Sequence, residues 1–436
     1  MQSSRRDIGL VRVVGPWVLA AGAISMIVGA GIFAVPAALS ASIGPYGPVA
    51  FLGCGFAVGA VAICFAEGCS RLPTSGGAYG LIEAIFGPLV GYVTGTLLWV
   101  SCVLASGGVA AALADVVSTL LPQSVRALGH AVTVIAVIGG IALVNIRGIA
   151  TGARLVGATT AVKLVPLIVF VVAGLSAAVH GSGLQQGVHL DVQNVGRALI
   201  LGVFAFMGWE TPLCASGEVR EPNRTIPRAI AVAMLSTMLL YVGIQFVAQG
   251  ILGPALASSN APLADAMAHI HPALRVLMLA GAALSMFGYL SSDILSSPRQ
   301  LFALARDGLL PRALGRLNAR SHAPYIAILC YAAIATALAL TGTFAELAVL
   351  STLALAPIYI AGCAAAWLLA RRGVALAGPP LRFRFVGTAA ALGIGSMLVL
   401  VVLGSLREIA GLVALLVVST AIYLVQTRAS PVRVNT

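Results

Sequence analysis

Apolar stretches of about 20 residues follow one another along nearly the whole chain, and the short segments between them hold most of its arginines. A helix of about 20 apolar residues spans the hydrocarbon core of a bilayer. Inside lipid the backbone must satisfy its own N–H and C=O groups, which a helix does within one segment. Apolar runs and their breakers place spans near 14 to 39, 46 to 69, 88 to 121, 127 to 145, 154 to 179, 195 to 217, 229 to 252, 273 to 304, 324 to 341, 344 to 369, 385 to 405 and 408 to 427. The expected fold class is an all-α membrane protein with 12 transmembrane helices. Composition agrees: 60% of the 436 residues are apolar and 9% charged, where a soluble domain carries about 25% charged residues. A soluble enzyme is excluded on those figures.

An even number of spans puts both termini on one side, and basic residues in alternate loops choose the side. Twenty arginines, among them Arg5, Arg6, Arg71, Arg147, Arg220, Arg306 and Arg371, fall on the N-terminal side, against Arg126, Arg197, Arg275 and Arg407 on the other. Both termini are therefore expected in the cytoplasm, in a multi-pass protein of the inner (cytoplasmic) membrane. The net charge of +12 sits in these connections and is not interleaved with aromatic residues on one face, so it marks topology and not a nucleic-acid partner. The run after Arg5 and Arg6 passes small residues at Ala20 and Ala21 but continues to Leu39, which reads as a retained first span and not a cleaved signal.

Other chemistry is poorly represented. The seven cysteines form no CxxC pair and read as small buried hydrophobes. All six histidines are expected outside the spans, which leaves no Ser/His constellation at bilayer depth for an intramembrane hydrolase. His269-x-His271 is a thin metal motif, and no metal or organic cofactor is expected. Gly29-Ala30-Gly31 is not a dinucleotide fingerprint, because no strand precedes it.

Two spans carry helix breakers near their centres. The first reads Ile27-Val28-Gly29-Ala30-Gly31-Ile32-Phe33 with Pro36 beyond, and the sixth reads Phe204-Ala205-Phe206-Met207-Gly208-Trp209-Glu210-Thr211-Pro212. Each Gly disfavours helix by about 1 kcal/mol and each Pro by about 3 kcal/mol. Small residues also permit close helix packing, so the local sequence alone leaves unwinding and packing open. Their placement favours unwinding, since one break opens each half of a ten-span unit, as an inverted repeat with a midplane site requires. The N–H groups of Gly29, Ala30 and Gly31 are then expected to hold a substrate carboxylate, and carbonyls near Ile27, Phe204 and Met207 its ammonium.

These passages resemble the amino acid–polyamine–organocation (APC) superfamily of permeases. Further matches are Pro73-Thr74-Ser75-Gly76-Gly77-Ala78-Tyr79, the segment from Gly217 to Arg228, and Ala305-Arg306-Asp307-Gly308-Leu309-Leu310-Pro311. The resemblance implies the LeuT-type fold, a 5+5 inverted repeat plus two peripheral helices. Its parts would be a cytoplasmic segment 1–13, a first repeat 14–180, a second repeat 195–370, two further spans in 385–427 and a cytoplasmic tail 428–436. It also implies that Cys102, Ser106 and Val109 of the third span and Gly208 of the sixth line the pocket, and that Phe204 is a better lid than Trp209. Proton-coupled members carry a fifth-span lysine where sodium binds in relatives, and Lys163 resembles it; Glu210 similarly resembles a proton-sensitive glutamate.

An ionisable side chain at bilayer depth is costly and hence a functional candidate. On the resemblance, Lys163, protonated, would bridge first-span carbonyls near Gly22 to hydroxyls among Ser285, Ser291 and Ser292; the other reading is an amine snorkelling to the inner interface near Arg154. Asp293 has three open roles: binding a cationic side chain, joining the Lys163 network, or anchoring Arg299. Glu210 has a static reading too, a hydrogen bond tying down the unwound segment. Asp115 reads as a solvent or cap group, Glu67 and Arg71 as an i, i+4 ion pair, and Ser351 and Thr352 as interhelical hydrogen bonders.

The function expected is alternating-access transport, by symport or antiport, of a small neutral amino acid, with a proton gradient as the driving ion. A cationic amino acid or polyamine exchanger using Asp293 is the alternative, and a non-transporting sensor or subunit is a third. The expected partners are the amino acid and the bilayer; the sequence does not fix the oligomeric state.

Overall fold

The computed structural model describes residues 15–72, 77–147, 163–180, 190–211, 213, 219–306, 308, 310–374, 383 and 385–429. Among them the chain is all helical. In order the helices are Pro16–Ile27 (α1), Gly31–Ile43 (α2), Gly47–Arg71 (α3), Gly77–Phe86 (α4), Pro88–Ser118 (α5), Arg126–Ile146 (α6), Leu164–His180 (α7), Val192–Ala205 (α8) and Pro222–Leu252 (α9). Pro262–Ala268 (α10), Pro272–Ser296 (α11), Pro298–Arg306 (α12), Tyr325–Thr341 (α13), Phe344–Arg371 (α14), Val386–Val402 (α15) and Leu406–Ala429 (α16) complete them.

The breakers of the sequence stand mostly at helix starts. Proline occupies the first turn of α1, α3, α5, α9, α10 and α11, where its missing N–H has no intrahelical partner to lose. Thr343 and Glu346 close a reciprocal capping box at the start of α14.

Among the described residues, seven helical stretches are long and apolar enough to cross a membrane, and five apolar helices are shorter. Burial sorts them into centre and periphery: 72% of the apolar window is buried in α5 and in α14, but 11% in α16. Helix α5 packs on α14, α11, α13 and α6, while α9 packs on α3, α1 and α7. The outward faces of α16 and α6 keep Val417, Val425, Ile135 and Leu143 exposed, as lipid contact requires.

Three expectations are corrected. The eighth expected stretch, 273 to 304, is two helices, because Pro298 cannot continue the hydrogen-bond ladder of α11. The third ends at Ser118. His130 lies inside α6, near its start, where it reaches Asp115 across 3.4 Å. The expected segment 1–13, most of the 428–436 tail, residues 154–162 of the 154 to 179 stretch, Pro73–Gly76, Cys214, Asp307 and Leu309 lie outside the described residues.

Candidate functional site

The first break separates α1 from α2 at Val28–Ala30. An ended helix leaves carbonyls without intrahelical partners, and here side chains from elsewhere take them. Lys163 Nζ donates to Ser25 O. Tyr241 OH donates to Ile27 O at 3.1 Å, and Ser285 Oγ donates to Val28 O at 3.1 Å. On the other side of the break, Ala30 and Gly31 present N–H groups at the positive end of the 13-residue α2. The N–H of Gly29 is not among the groups available to a ligand: it donates to Ile27 O at 2.8 Å.

The second break begins where α8 ends at Ala205. Phe206 and Met207 tighten the last turn by donating to Val203 O and Phe204 O at 2.9 and 3.1 Å. Gly208 has φ 108°, a conformation that side chains disfavour, and a Cβ there would stand 2.8 Å from Met26 O. A Cβ on Gly31 would meet Ala205 Cα at 2.9 Å. The two breaks therefore touch through glycines. Glu210 folds back to accept from its own Gly208 N–H at 3.1 and 3.3 Å, and Tyr359 OH donates to it at 3.1 Å. This is the tie-down geometry of its static reading.

Between the breaks lies a pocket of about 530 Å³, its mouth included, lined by Met26, Ile27, Gly29, Ala30, Gly31, Leu98, Ser101, Cys102, Ala105, Val109, Phe204, Met207, Gly208, Glu210, Thr211, Tyr289 and Asp293. Ser106 does not line it but donates to Asp293 at 2.6 Å. The carbonyls of Ile27 and Phe204, expected to meet an ammonium, already accept from Gly29, Tyr241 and Met207. Phe204 faces the pocket and packs edge-on to Phe344 at 5.6 Å, whereas Trp209 is stacked on Tyr359 and edged by Phe65, away from the pocket. Phe344 in turn lines a second cavity, with Phe33, Asp115, Asn260 and Met286.

The Lys163 network differs in detail from the expected one. Its carbonyl partner is Ser25, about one turn beyond Gly22. Of the expected hydroxyls, Ser285 reaches the break, but Ser291 and Ser292 donate back to Phe287 O and Gly288 O at 2.8 and 3.0 Å, the usual return of a helical serine to its own turn. Asp293 joins neither Lys163 nor Arg299; it accepts from Ser106, Ser297 and Tyr331. Glu67 and Arg71 do pair, at 2.7 Å and buried, and Arg71 also donates to Val374 O at 3.1 Å. Ser351 and Ser101 exchange hydrogen bonds between α14 and α5.

Sequence reasoning missed the tyrosines. Tyr289 lines the pocket beside Gly29, and Tyr241, Tyr331 and Tyr359 serve Ile27, Asp293 and Glu210. Only Tyr289 had a signal, its place four residues before Asp293 on the same helix face.

Apolar helices around a pocket held between two unwound segments define a multi-pass membrane transporter. The chain belongs to the amino acid permease family, whose model matches residues 14–425. An uncharacterized transporter of Mycobacterium tuberculosis is 36% identical, over 77% of this chain and 74% of its own. The serine/threonine exchanger SteT of Bacillus subtilis is 27% identical, over 84% and 85%, and the branched-chain amino acid permease BcaP of Lactococcus lactis is 26% identical, over 68% and 69%. The family is one of permeases and exchangers, not enzymes, and its substrates are amino acids.

Proposed function

We propose that the protein is a 12-span secondary transporter with a LeuT-type 5+5 repeat, moving a small neutral amino acid across the cytoplasmic membrane by alternating access, with both termini in the cytoplasm. The observation that carries this reading is the pocket between the breaks, where the start of α2 offers N–H groups to a carboxylate and α5 lines its side with the small, uncharged Cys102, Ala105 and Val109. The order of helices supports the topology: one broken helix leads the first five expected spans and another the second five.

Proton coupling in this reading runs through Lys163, with Glu210 as a second proton-sensitive group. The ammonium ties the end of α1 to the head of α7, while Ser285 ties the same break to α11. Loss of the Lys163 proton removes the charge-assisted bond and frees α1 to move. The test is counterflow and pH-gradient-driven uptake of alanine and serine in proteoliposomes. Uptake driven by an inward proton gradient, and lost from K163A while counterflow persists, is the expected result. Undiminished gradient dependence in K163A overturns the coupling, and no counterflow of any neutral amino acid overturns the substrate class.

A further inference from the structure

Asp293 is a buried carboxylate in the pocket wall that this transport reading leaves unused, and it is 3% exposed. Three hydroxyls converge on it, two from other helices and one from the turn between α11 and α12. Ser106 of α5 donates to Oδ2 at 2.6 Å, Tyr331 of α13 donates to the same oxygen, and Ser297 donates to Oδ1 at 2.7 Å. All three donors are neutral, and among the described residues no cation pairs with the carboxylate.

The ionisable groups around it do not change that. Cys102 on α5, Tyr289 on α11 and Tyr331 on α13 face it, and Glu210 shares the pocket. Of the other elements packed on α11, α7 has Lys163 at its head, bonded to Ser25, and α6 carries His130, beside Asp115. Helix α10 carries Asp265, held by Ser259 and Arg275, and α12 carries Arg299 and Arg306 beyond Ser297. Helix α1 carries none among its residues.

A carboxylate at bilayer depth with no cation is expensive, and hydroxyl donors offset only part of that. A proton can clear the charge, or a cation brought into the pocket can. The backbone of an amino acid leaves the net charge of the pocket unchanged, because its ammonium arrives with a carboxylate. A cationic side chain changes it. Cys102 and Ala105 of α5 line the same pocket with small side chains.

Resting on the transport reading above, we propose that Asp293 selects the charge carried through the pocket. It holds a proton when the occupant is neutral and releases that proton to the water at the pocket mouth when a cationic side chain takes its place. The permease then accepts small neutral amino acids and also cationic ones such as lysine and ornithine, each cationic substrate travelling with one proton fewer.

The test uses the full chain in proteoliposomes, with equal pH on both sides, and follows counterflow of labelled alanine and labelled lysine at acidic and at mildly alkaline pH. Lysine exchange is expected to rise toward alkaline pH relative to alanine exchange. D293N is expected to lower the lysine-to-alanine ratio by about 30-fold or more, as removal of one member of a buried charge pair does. Should D293N not fold, thermal stabilisation of the unmutated protein decides: lysine must stabilise it more at alkaline than at acidic pH. Alanine exchange without lysine exchange or stabilisation at either pH overturns this inference and leaves the transport reading standing, as does an unchanged ratio in D293N. Failure of both substrates overturns the transport reading and this inference with it.

Discussion

The two breaks meet at the same pocket but are held in different ways. The first is satisfied from outside: its orphaned carbonyls are taken by Lys163 at the head of α7, Tyr241 of α9 and Ser285 of α11. The second is satisfied mainly from within, by short turns and by the Glu210 carboxylate folding onto Gly208, with Tyr359 reaching in from α14. A segment braced by three other helices changes when those helices move against each other, whereas a self-closed turn keeps its shape and travels as a unit. The first break is therefore the place where relative helix motion is felt.

The largest effect is expected where the breaks touch. G208V puts a β-branched residue at φ 108° and its Cβ near Met26 O. Backbone strain of about 1–3 kcal/mol adds to a similar overpacking term. Unfolding temperature in detergent and counterflow should both collapse. G31A crowds Ala205 from the other side, but as the first residue of α2 it carries overpacking alone and should lose less. Equal losses in both would remove strain at Gly208 from the account.

K163A comes next. It leaves Ser25 O buried without the ammonium, an expected loss of about 1–3 kcal/mol. Y241F and S285A each remove one neutral bond from the same break, for about 0.5–1.5 kcal/mol. Because Tyr241 and Ser285 serve the adjacent carbonyls of Ile27 and Val28, the double variant Y241F/S285A should depart from the sum of its singles in thermal unfolding. Strict additivity would show two independent bonds and not a shared brace.

How far the sequence foretold this can be argued from the same residues. Gly29, Gly31 and Gly208 marked both breaks because backbone freedom is a local property, visible in residue type. Cys102 and Phe204 were expected at the pocket from the family resemblance and Asp293 from the cost of a carboxylate at bilayer depth, and all three line its wall. The bracing did not show, since a tyrosine in an apolar run gives no sign of which carbonyl its hydroxyl will meet; Tyr241 lies 214 residues from Ile27. The serines illustrate the same limit: Ser285 crosses to α1 while Ser291 and Ser292 turn back on their own helix. Periodicity says which face a hydroxyl occupies, and only the packed neighbours say whether a better acceptor is within reach.

The smallest effect is expected at Tyr359, and it tests the contrast most sharply. Its hydroxyl ties Glu210 to another helix, and Y359F removes that bond while leaving a ring to stack on Trp209, whose centroid lies 5.7 Å away. Glu210 keeps both contacts to the Gly208 N–H, so the segment should hold its shape, with a loss at or below about 1 kcal/mol. Counterflow and unfolding temperature of Y359F should stay above those of K163A and of Y241F/S285A. If Y359F instead falls as far as K163A, the second break leans on α14 as the first leans on α7, α9 and α11. Both breaks would then feel helix motion, and the division into a braced segment and a self-closed one would be lost.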